Sequence, residues 1–233
     1  MKKSEILPEA ATYEKELFYM PYRESLAKVI EIICSEIPKG GSLMDLMCGP
    51  GYLLAQISKR RKDLILKGVD LDQGYIKFSK EKYPKLDFEV GDIMSWESNE
   101  KFDFVVCTGS VHHIPYEKQS KAIEKIASFI NPKGTAIISD CYIDNYLSEK
   151  QRKIAAAKLG YEYLIETIKN GAPKEVVEAT GNILVNDVLM NEFKTSLKKR
   201  ISVFERFFSK IKTIKTWPKF DSQYGDYISI CRK

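Results

Sequence analysis

Apolar runs that suit buried strands alternate with amphipathic, helix-like stretches from residue 42 to residue 139. In the helix-like stretches, apolar residues recur every three or four positions, as Ala122, Ile123 and Ile126 do. Parallel strands need crossover connections, which are usually helices, and strands covered on both faces are almost wholly apolar. The alternation therefore predicts an α/β fold in three layers with a mainly parallel sheet. The predicted strands are residues 42–46, 64–70, 86–90, 102–108, 135–139, 211–217 and 227–231.

The alternation stops after Asp144 and resumes only near residue 211. Residues 147–209 show several helical patterns and no clear strand. Two late strands after this stretch predict a helical insertion from which the chain returns to the sheet edge. The predicted organisation is a helical cap segment (residues 1–40), a sheet domain (41–143 and 210–233) and a helical lid over the substrate (144–209).

Composition excludes several classes of protein. Apolar residues make up 44% of the 233 residues and charged residues 30%, which is typical of a globular chain with a proper core. Five scattered cysteines argue against a disulfide framework, and two adjacent histidines exclude His-rich metal motifs. The N-terminal MKKSEILPEA has no apolar stretch, and no run approaches the roughly 18 apolar residues of a membrane span. These features predict a cytoplasmic protein.

Acidic residues and glycines follow the first three predicted strands. Asp45 lies near the end of the first strand and precedes the turn Cys48-Gly49-Pro50-Gly51, which opens a helix. Asp70 ends the second strand about 20 residues later, where a carboxylate can accept hydrogen bonds from ribose hydroxyls, and Asp92 follows the third. Both the dinucleotide motif G-x-G-x-x-G and the P-loop are absent. Taken alone, the glycine turn is also compatible with an ordinary strand-to-helix connection.

Five motifs in register resemble those of the class I S-adenosylmethionine-dependent methyltransferases, over roughly residues 20–143. They are the stretches 43–51 (LMDLMCGPG), Asp70, 91–93 (GDI), 102–114 (FDFVVCT and VHHI) and 130–135 (INPKGT). The chain departs from the family at Met47 and at Lys133, where the family usually has glycines. The resemblance implies a Rossmann-like three-layer sandwich with a mainly parallel seven-stranded sheet and a helical insertion before the last two strands.

The resemblance also implies a site for S-adenosyl-L-methionine across the strand ends, with S-adenosyl-L-homocysteine as product. Asp45 would organise the first turn, Asp70 would bind the ribose, and Asp92 with Ile93 would bracket the adenine. The segment around Tyr22 and Arg23 would close over the cofactor carboxylate, or else pack on the sheet edge. The full set of expected cofactor-binding residues is Asp45, Met47, Cys48, Gly49, Gly51, Asp70, Leu71, Asp92, Ile93, Thr108, Gly109, Tyr22 and Arg23.

His112 and His113 are the candidate catalytic bases, because histidine titrates nearest to neutral pH. The resemblance gives a slight preference to His113, and the alternative is a histidine packed against the sheet with its ring nitrogens satisfied. Asp140, Asp144 and Asn145 could suggest magnesium ligands, but Thr108 stands where that class needs a carboxylate, so no metal is expected. Several aromatic residues of the insertion, among them Tyr163, and Met190 would roof the pocket if they face inward.

The predicted reaction is methyl transfer from S-adenosylmethionine to an oxygen, nitrogen or carbon atom of a small-molecule acceptor. The net charge of +5 permits an acidic partner, but the insertion has nearly balanced charges, which argues against nucleic acid. The sequence indicates no membrane association, and it does not determine the oligomeric state. Three alternatives stay open: a non-methylating enzyme similar to carboxy-S-adenosylmethionine synthases, a methyltransferase acting on RNA or protein, and a non-catalytic scaffolding member of the fold.

Overall fold

The computed structural model describes residues 10–189 and 192–233. Within these residues, seven strands form one sheet in the order β3-β2-β1-β4-β5-β7-β6. Strands β1 to β5 are parallel, and β7 is antiparallel to its neighbours β5 and β6. The predicted mainly parallel, seven-stranded sheet is therefore confirmed. The strands are β1 (Ser42–Leu46), β2 (Ile65–Asp70), β3 (Asp87–Val90), β4 (Phe102–Thr108), β5 (Ile130–Tyr142), β6 (Lys210–Trp217) and β7 (Gly225–Arg232).

The central strands bury both of their faces, which explains their unbroken apolar sequence. Leu43 of β1 packs into one hydrophobic cluster with helices α2 and α3, and its neighbour Met44 packs into a second cluster with α5 and α8. Val105 and Val106 of β4 divide between the clusters in the same way, because successive side chains of a strand point to opposite faces. The helices are α1 (Ala10–Tyr19), α2 (Tyr22–Glu36), α3 (Tyr52–Arg60), α4 (Gln73–Lys82), α5 (Tyr116–Ser128), α6 (Glu149–Lys169), α7 (Lys174–Leu189) and α8 (Leu197–Phe204).

The N-terminal segment contains two helices. Helix α1 ends at Tyr19, and Tyr22 and Arg23 begin α2. Pro21 lies between the two helices and is the N-cap residue of α2, because a proline without an N–H fits the beginning of a helix but not its interior.

The predicted start of the fifth strand, at Thr135, is wrong. Strand β5 begins at Ile130 and includes Asn131-Pro132-Lys133-Gly134. Ile130 pairs with Phe102, but the next pair is Phe104 with Thr135, so the extra residues form an irregularity in the strand. Gly134 is required there, since a β-carbon would lie 2.8 Å from the carbonyl oxygen of Asp103. The apolar pattern resumes only at Thr135, which is why the sequence placed the beginning of the strand too late.

The helical insertion begins after β5 and ends before β6. Its helices α6 and α7 pack beside a third hydrophobic cluster that includes Leu159, Tyr163 and Trp217. Ile143 forms an isolated parallel bridge with Ser196, which ties the insertion to the end of β5. None of the helices in the described ranges is long and apolar enough to cross a membrane. The division into cap, sheet domain and lid stays a prediction.

Candidate active site

The turn after β1 presents its backbone at the carboxyl end of the sheet. Met47, Gly49 and Gly51 all have left-handed backbone angles, with φ of 59°, 53° and 79°. Such angles are strained for methionine but natural for glycine. A β-carbon at Gly49 would meet no heavy atom of the described chain within 4 Å, so the backbone there is open. At Gly51 a β-carbon would lie 2.6 Å from the ring of Phe88, so this glycine serves the close packing of α3 on the sheet.

Asp70 holds this turn in place. Its Oδ2 accepts a hydrogen bond from the Gly49 N–H at 2.8 Å, and its Oδ1 accepts one from the Asp72 N–H at 2.9 Å. Burial raises the pKa of the Asp70 carboxyl, while the two backbone donors oppose that shift. Each carboxylate oxygen has a further lone pair, so Asp70 can still accept hydrogen bonds from a ligand.

A cavity of about 640 Å³ lies over the carboxyl ends of the strands and under the insertion. This volume is in the range of small-molecule and cofactor sites. The wall includes most of the residues that the sequence predicted: Met47, Gly49, Asp70, Leu71, Asp92, Ile93, Gly109, Tyr22, His112 and His113. Tyr163, from the insertion, also lines it, whereas Met190 lies outside the described residues.

Other expected cofactor residues do not line this cavity. Asp45, Cys48 and Thr108 surround a much smaller void of about 20 Å³ behind Tyr22 and Met47, because their side chains are buried beneath the turn. Gly51 is covered by Phe88. Arg23 is exposed and does not line the cavity, and its guanidinium donates to the carbonyl of Phe18 at 2.9 Å.

His112 has a carboxylate partner at the end of β5. Its Nδ1 lies 2.5 Å from Oδ1 of Asp140, and both side chains are almost fully buried. Burial lowers the pKa of His112, partly offset by Asp140, and the pKa of Asp140 is also below its usual value despite burial, because of His112 and Arg200. An ionised Asp140 therefore faces a neutral imidazole. The proton of that imidazole lies on Nδ1, which leaves the Nε2 lone pair available to accept another.

Asp187, Glu192 and Lys194 of the insertion complete the polar end of the cavity. Glu192 Oε2 lies 3.7 Å from His112 Nε2, and the Phe193 N–H donates to the His112 carbonyl at 2.6 Å. Lys194 forms a buried ion pair with Glu192 and another with Asp187, the latter at 2.8 Å. This ion pairing holds the pKa of Glu192 at about 2, whereas burial raises that of Asp187 to about 7.

The oxygen ligands that could have suggested magnesium do not converge. Asp144 pairs with Lys158 at 2.7 Å, and Asn145 hydrogen bonds to Gln223, while Asp140 is held by His112. His112, Asp140 and Cys141 offer ligand atoms within 4.8 Å of one another. The direct contact of His112 Nδ1 with Asp140 at 2.5 Å leaves no room for an ion between them.

Sequence reasoning missed the partners of His112. Asp140 follows an apolar strand, so the rule that drew attention to Asp70 and Asp92 could have identified it as a site residue. Glu192, Lys194 and Asp187 belong to no motif, and nothing in their sequence surroundings marks them. Glu16 on α1 was missed for the same reason, although it lines the cavity and is only 5% exposed.

Comparison with known proteins agrees with this geometry. Residues 43–134 match the model of a methyltransferase domain family. The carboxy-S-adenosyl-L-methionine synthase of Campylobacter lari is 27% identical over 74% of this chain and 78% of that protein. A putative methyltransferase of Invertebrate iridescent virus 6 is 38% identical, but over only 30% of this chain and 27% of that protein. Other curated relatives match this chain over about half of their own length.

The fold has solved counterparts along nearly the whole chain. The crystal structure of a TehB-like SAM-dependent methyltransferase from Corynebacterium glutamicum superimposes with a TM-score of 0.61 over 96% of this chain and 97% of that one, at 16% identity. The fold and the site thus define a class I methyltransferase architecture. The fold is that of the S-adenosylmethionine-dependent methyltransferases among these structures, and residues 43–134 match a methyltransferase domain.

The residues of the cavity fit S-adenosylmethionine. The ligand has a cationic sulfonium, ribose hydroxyls and an adenine, and the wall provides carboxylates, open backbone at Gly49 and the apolar side chain of Ile93. Tyr22 packs closely over Gly109, where a β-carbon would lie 3.2 Å from the ring, and so bounds the cavity beside Met47.

Proposed function

We propose that this protein transfers a methyl group from S-adenosylmethionine to an oxygen, nitrogen or carbon atom of a small-molecule acceptor. The observation that carries the proposal is one continuous cavity, which includes the strand-end residues Gly49, Asp70 and Asp92 together with His112 and the insertion residue Glu192. A cofactor at the strand ends and an acceptor beside His112 would therefore share one enclosed space.

The bound cofactor supplies an electrophilic methyl group on its sulfonium. Asp70 would accept hydrogen bonds from the ribose while keeping the Gly49 turn in place, and Asp92 with Ile93 would hold the adenine. His112 rather than His113 is the proposed base, since its Nδ1–H is oriented by Asp140 and its Nε2 can accept a proton. This choice reverses the preference from the sequence. Alignment and exclusion of water would supply much of the acceleration.

The enclosure of the site supports a small acceptor rather than RNA or protein. His112 is only 7% exposed and Asp140 only 2%, so a macromolecular substrate would have to insert a side chain or base deeply. All five cysteines are free, which agrees with the reducing, cytoplasmic location proposed from the sequence.

A non-methylating reaction is the second candidate. It is favoured by the similarity to the Campylobacter lari synthase, which extends over 74% of this chain, well beyond the matched methyltransferase domain. Of the two described lysines that line the cavity, Lys118 is the one that could form an ion pair with the added carboxylate of such a product, because Lys194 is already held in ion pairs.

Calorimetric titration with S-adenosylhomocysteine, with NADH as control, tests the proposal. We expect a micromolar dissociation constant for the first ligand and no binding of the second. Absence of S-adenosylhomocysteine binding would leave the scaffolding alternative. Mass spectrometry of nucleosides that co-purify with the protein separates the two enzymatic candidates, since a carboxylated derivative would favour the synthase reaction and refute methyl transfer as the main activity.

A further inference from the structure

The cavity contains more negative than positive groups. Among the described residues that line it, six are carboxylates and two are lysines. The carboxylates are Glu16, Asp70, Asp72, Asp92, Asp187 and Glu192, and the lysines are Lys118 and Lys194. S-adenosylmethionine, with a sulfonium, an ammonium and a carboxylate, contributes one net positive charge. The wall therefore remains negative with the cofactor in place.

The excess is most consequential at the acceptor end, where the charges are buried. Asp187, Lys194, Glu192, His112 and Asp140 form a continuous chain of contacts, and none is more than 7% exposed. The cations near it are Lys194, which contacts Glu192 and Asp187, and Arg200, which lowers the pKa of Asp140. Arg152 pairs with Glu149, donates to the Asp187 carbonyl at 3.4 Å and also lowers the pKa of Asp187. Buried charges are stable only when they are paired, and these cations are already engaged by carboxylates of the protein.

Two cavity-lining carboxylates have an oxygen that no hydrogen bond satisfies. Oδ2 of Asp187 and Oε1 of Glu16 are buried and have no partner in the described part of the chain. The two side chains are 0% and 5% exposed. Burial raises the pKa of each to about 7, so burial destabilises each ionised form in the free protein, even though Lys194 contacts Oδ1 of Asp187. A buried, unsatisfied carboxylate on a cavity wall is suited to bind a cationic ligand.

We propose that the methyl acceptor is an amine, which enters as an ammonium ion and is held by Asp187 beside His112. This inference rests on the proposed function and names its substrate class. The carbon skeleton of the amine would contact Leu159, Ile183 and Tyr163, which line the same part of the insertion. An ammonium at Asp187 would give Oδ2 the hydrogen-bond partner that it lacks among the described residues.

The same arrangement accounts for the proton that must leave before nitrogen can react. The ammonium gives one proton to His112 Nε2, and the resulting imidazolium lies between the carboxylates of Asp140 and Glu192. The freed nitrogen lone pair forms the new N–C bond as the C–S bond breaks with its electrons on sulfur. The proton then passes from His112 to solvent, so charge and atoms balance.

Three probes of equal shape test the inference on protein saturated with S-adenosylhomocysteine: benzylamine, benzyl alcohol and benzoate. Calorimetry should show benzylamine binding at least about tenfold more tightly than either of the others. Asp187→Asn should weaken benzylamine binding about tenfold and leave S-adenosylhomocysteine binding unchanged.

Asp226→Asn is the matched control. Asp226 is also buried, with a pKa raised to about 7 and an Oδ2 that lacks a partner in the described chain, but it does not line the cavity. This variant should bind benzylamine as the wild type does. The inference is overturned if benzylamine does not bind, if benzoate or benzyl alcohol binds equally well, or if both aspartate variants lose benzylamine equally. The probe comparison needs only wild-type protein. Failure to bind S-adenosylhomocysteine would instead refute the proposed function.

Discussion

Removal of the Asp70 carboxylate should weaken cofactor binding while the protein stays folded. In Asp70→Ala, the Gly49 and Asp72 N–H groups lose acceptors at 2.8 and 2.9 Å, and the ribose loses its proposed partner. Hydrogen bonds to a charged group contribute about 1.5–3 kcal/mol each, but burial of the ionised Asp70 offsets part of this. We therefore expect a net loss of roughly 1–3 kcal/mol in S-adenosylhomocysteine binding, or about 5- to 150-fold in the dissociation constant.

Asp70→Asn should give an intermediate loss. The amide oxygen can still accept one of the two backbone N–H groups, whereas the NH₂ group cannot accept the other. Calorimetry at a single temperature measures both dissociation constants, and thermal unfolding checks that the variants remain folded.

Asp63→Ala provides a matched control for Asp70→Ala. Asp63 Oδ2 also accepts a glycine N–H, from Gly40 at 2.8 Å, but Asp63 does not line the cavity. Its replacement should leave S-adenosylhomocysteine affinity unchanged. If Asp70→Ala binds within twofold of wild type, Asp70 is not part of the cofactor site. If both alanine variants lose affinity equally, the loss reflects general destabilisation instead.

Three further predictions concern stability. Burial raises the pKa of Asp226 from 3.8 to about 7, so the folded state binds a proton that the unfolded state has released, and this contribution to stability falls as pH rises from about 4 to 7. The unfolding free energy of the wild type should fall between pH 5 and pH 8, and in Asp226→Asn this fall should be smaller by about 2–3 kcal/mol, as measured by urea titration. An unchanged pH dependence in the variant would contradict this. Gly225→Ala should destabilise by more than about 3 kcal/mol, because φ is 134° and the β-carbon would lie 2.0 Å from the Trp217 oxygen. Gly181 lies in α7, and a β-carbon there would have no described heavy atom within 4 Å, so Gly181→Ala should raise the free energy of unfolding by about 1 kcal/mol. Equal shifts of the thermal midpoint in the two alanine variants would refute the steric argument.

The sequence predicted many of the residues in the part of the cavity that we propose binds the cofactor. Parallel strands bring their carboxyl ends to one edge, so Gly49, Asp70 and Asp92 were expected together, and all three line the cavity. The resemblance placed Thr108 on the site, but a residue at a strand end can face either side of the turn, and Thr108 faces the smaller void with Asp45. Alternation along a strand decides that orientation, and a shift of one residue reverses it.

The sequence by itself determined the alternation of strands and helices, the helical insertion and the position of the glycine turn, because each follows from periodicity over adjacent residues. Only the tertiary structure placed His112 beside two carboxylates. His112 meets Asp140 from 28 residues away and Glu192 from the far side of the insertion. Neither contact leaves a trace in local sequence, since both arise from packing of β5 and of the insertion against the turn after β4. The acceptor end of the site, with its excess of buried carboxylates, exists only once those segments have folded together.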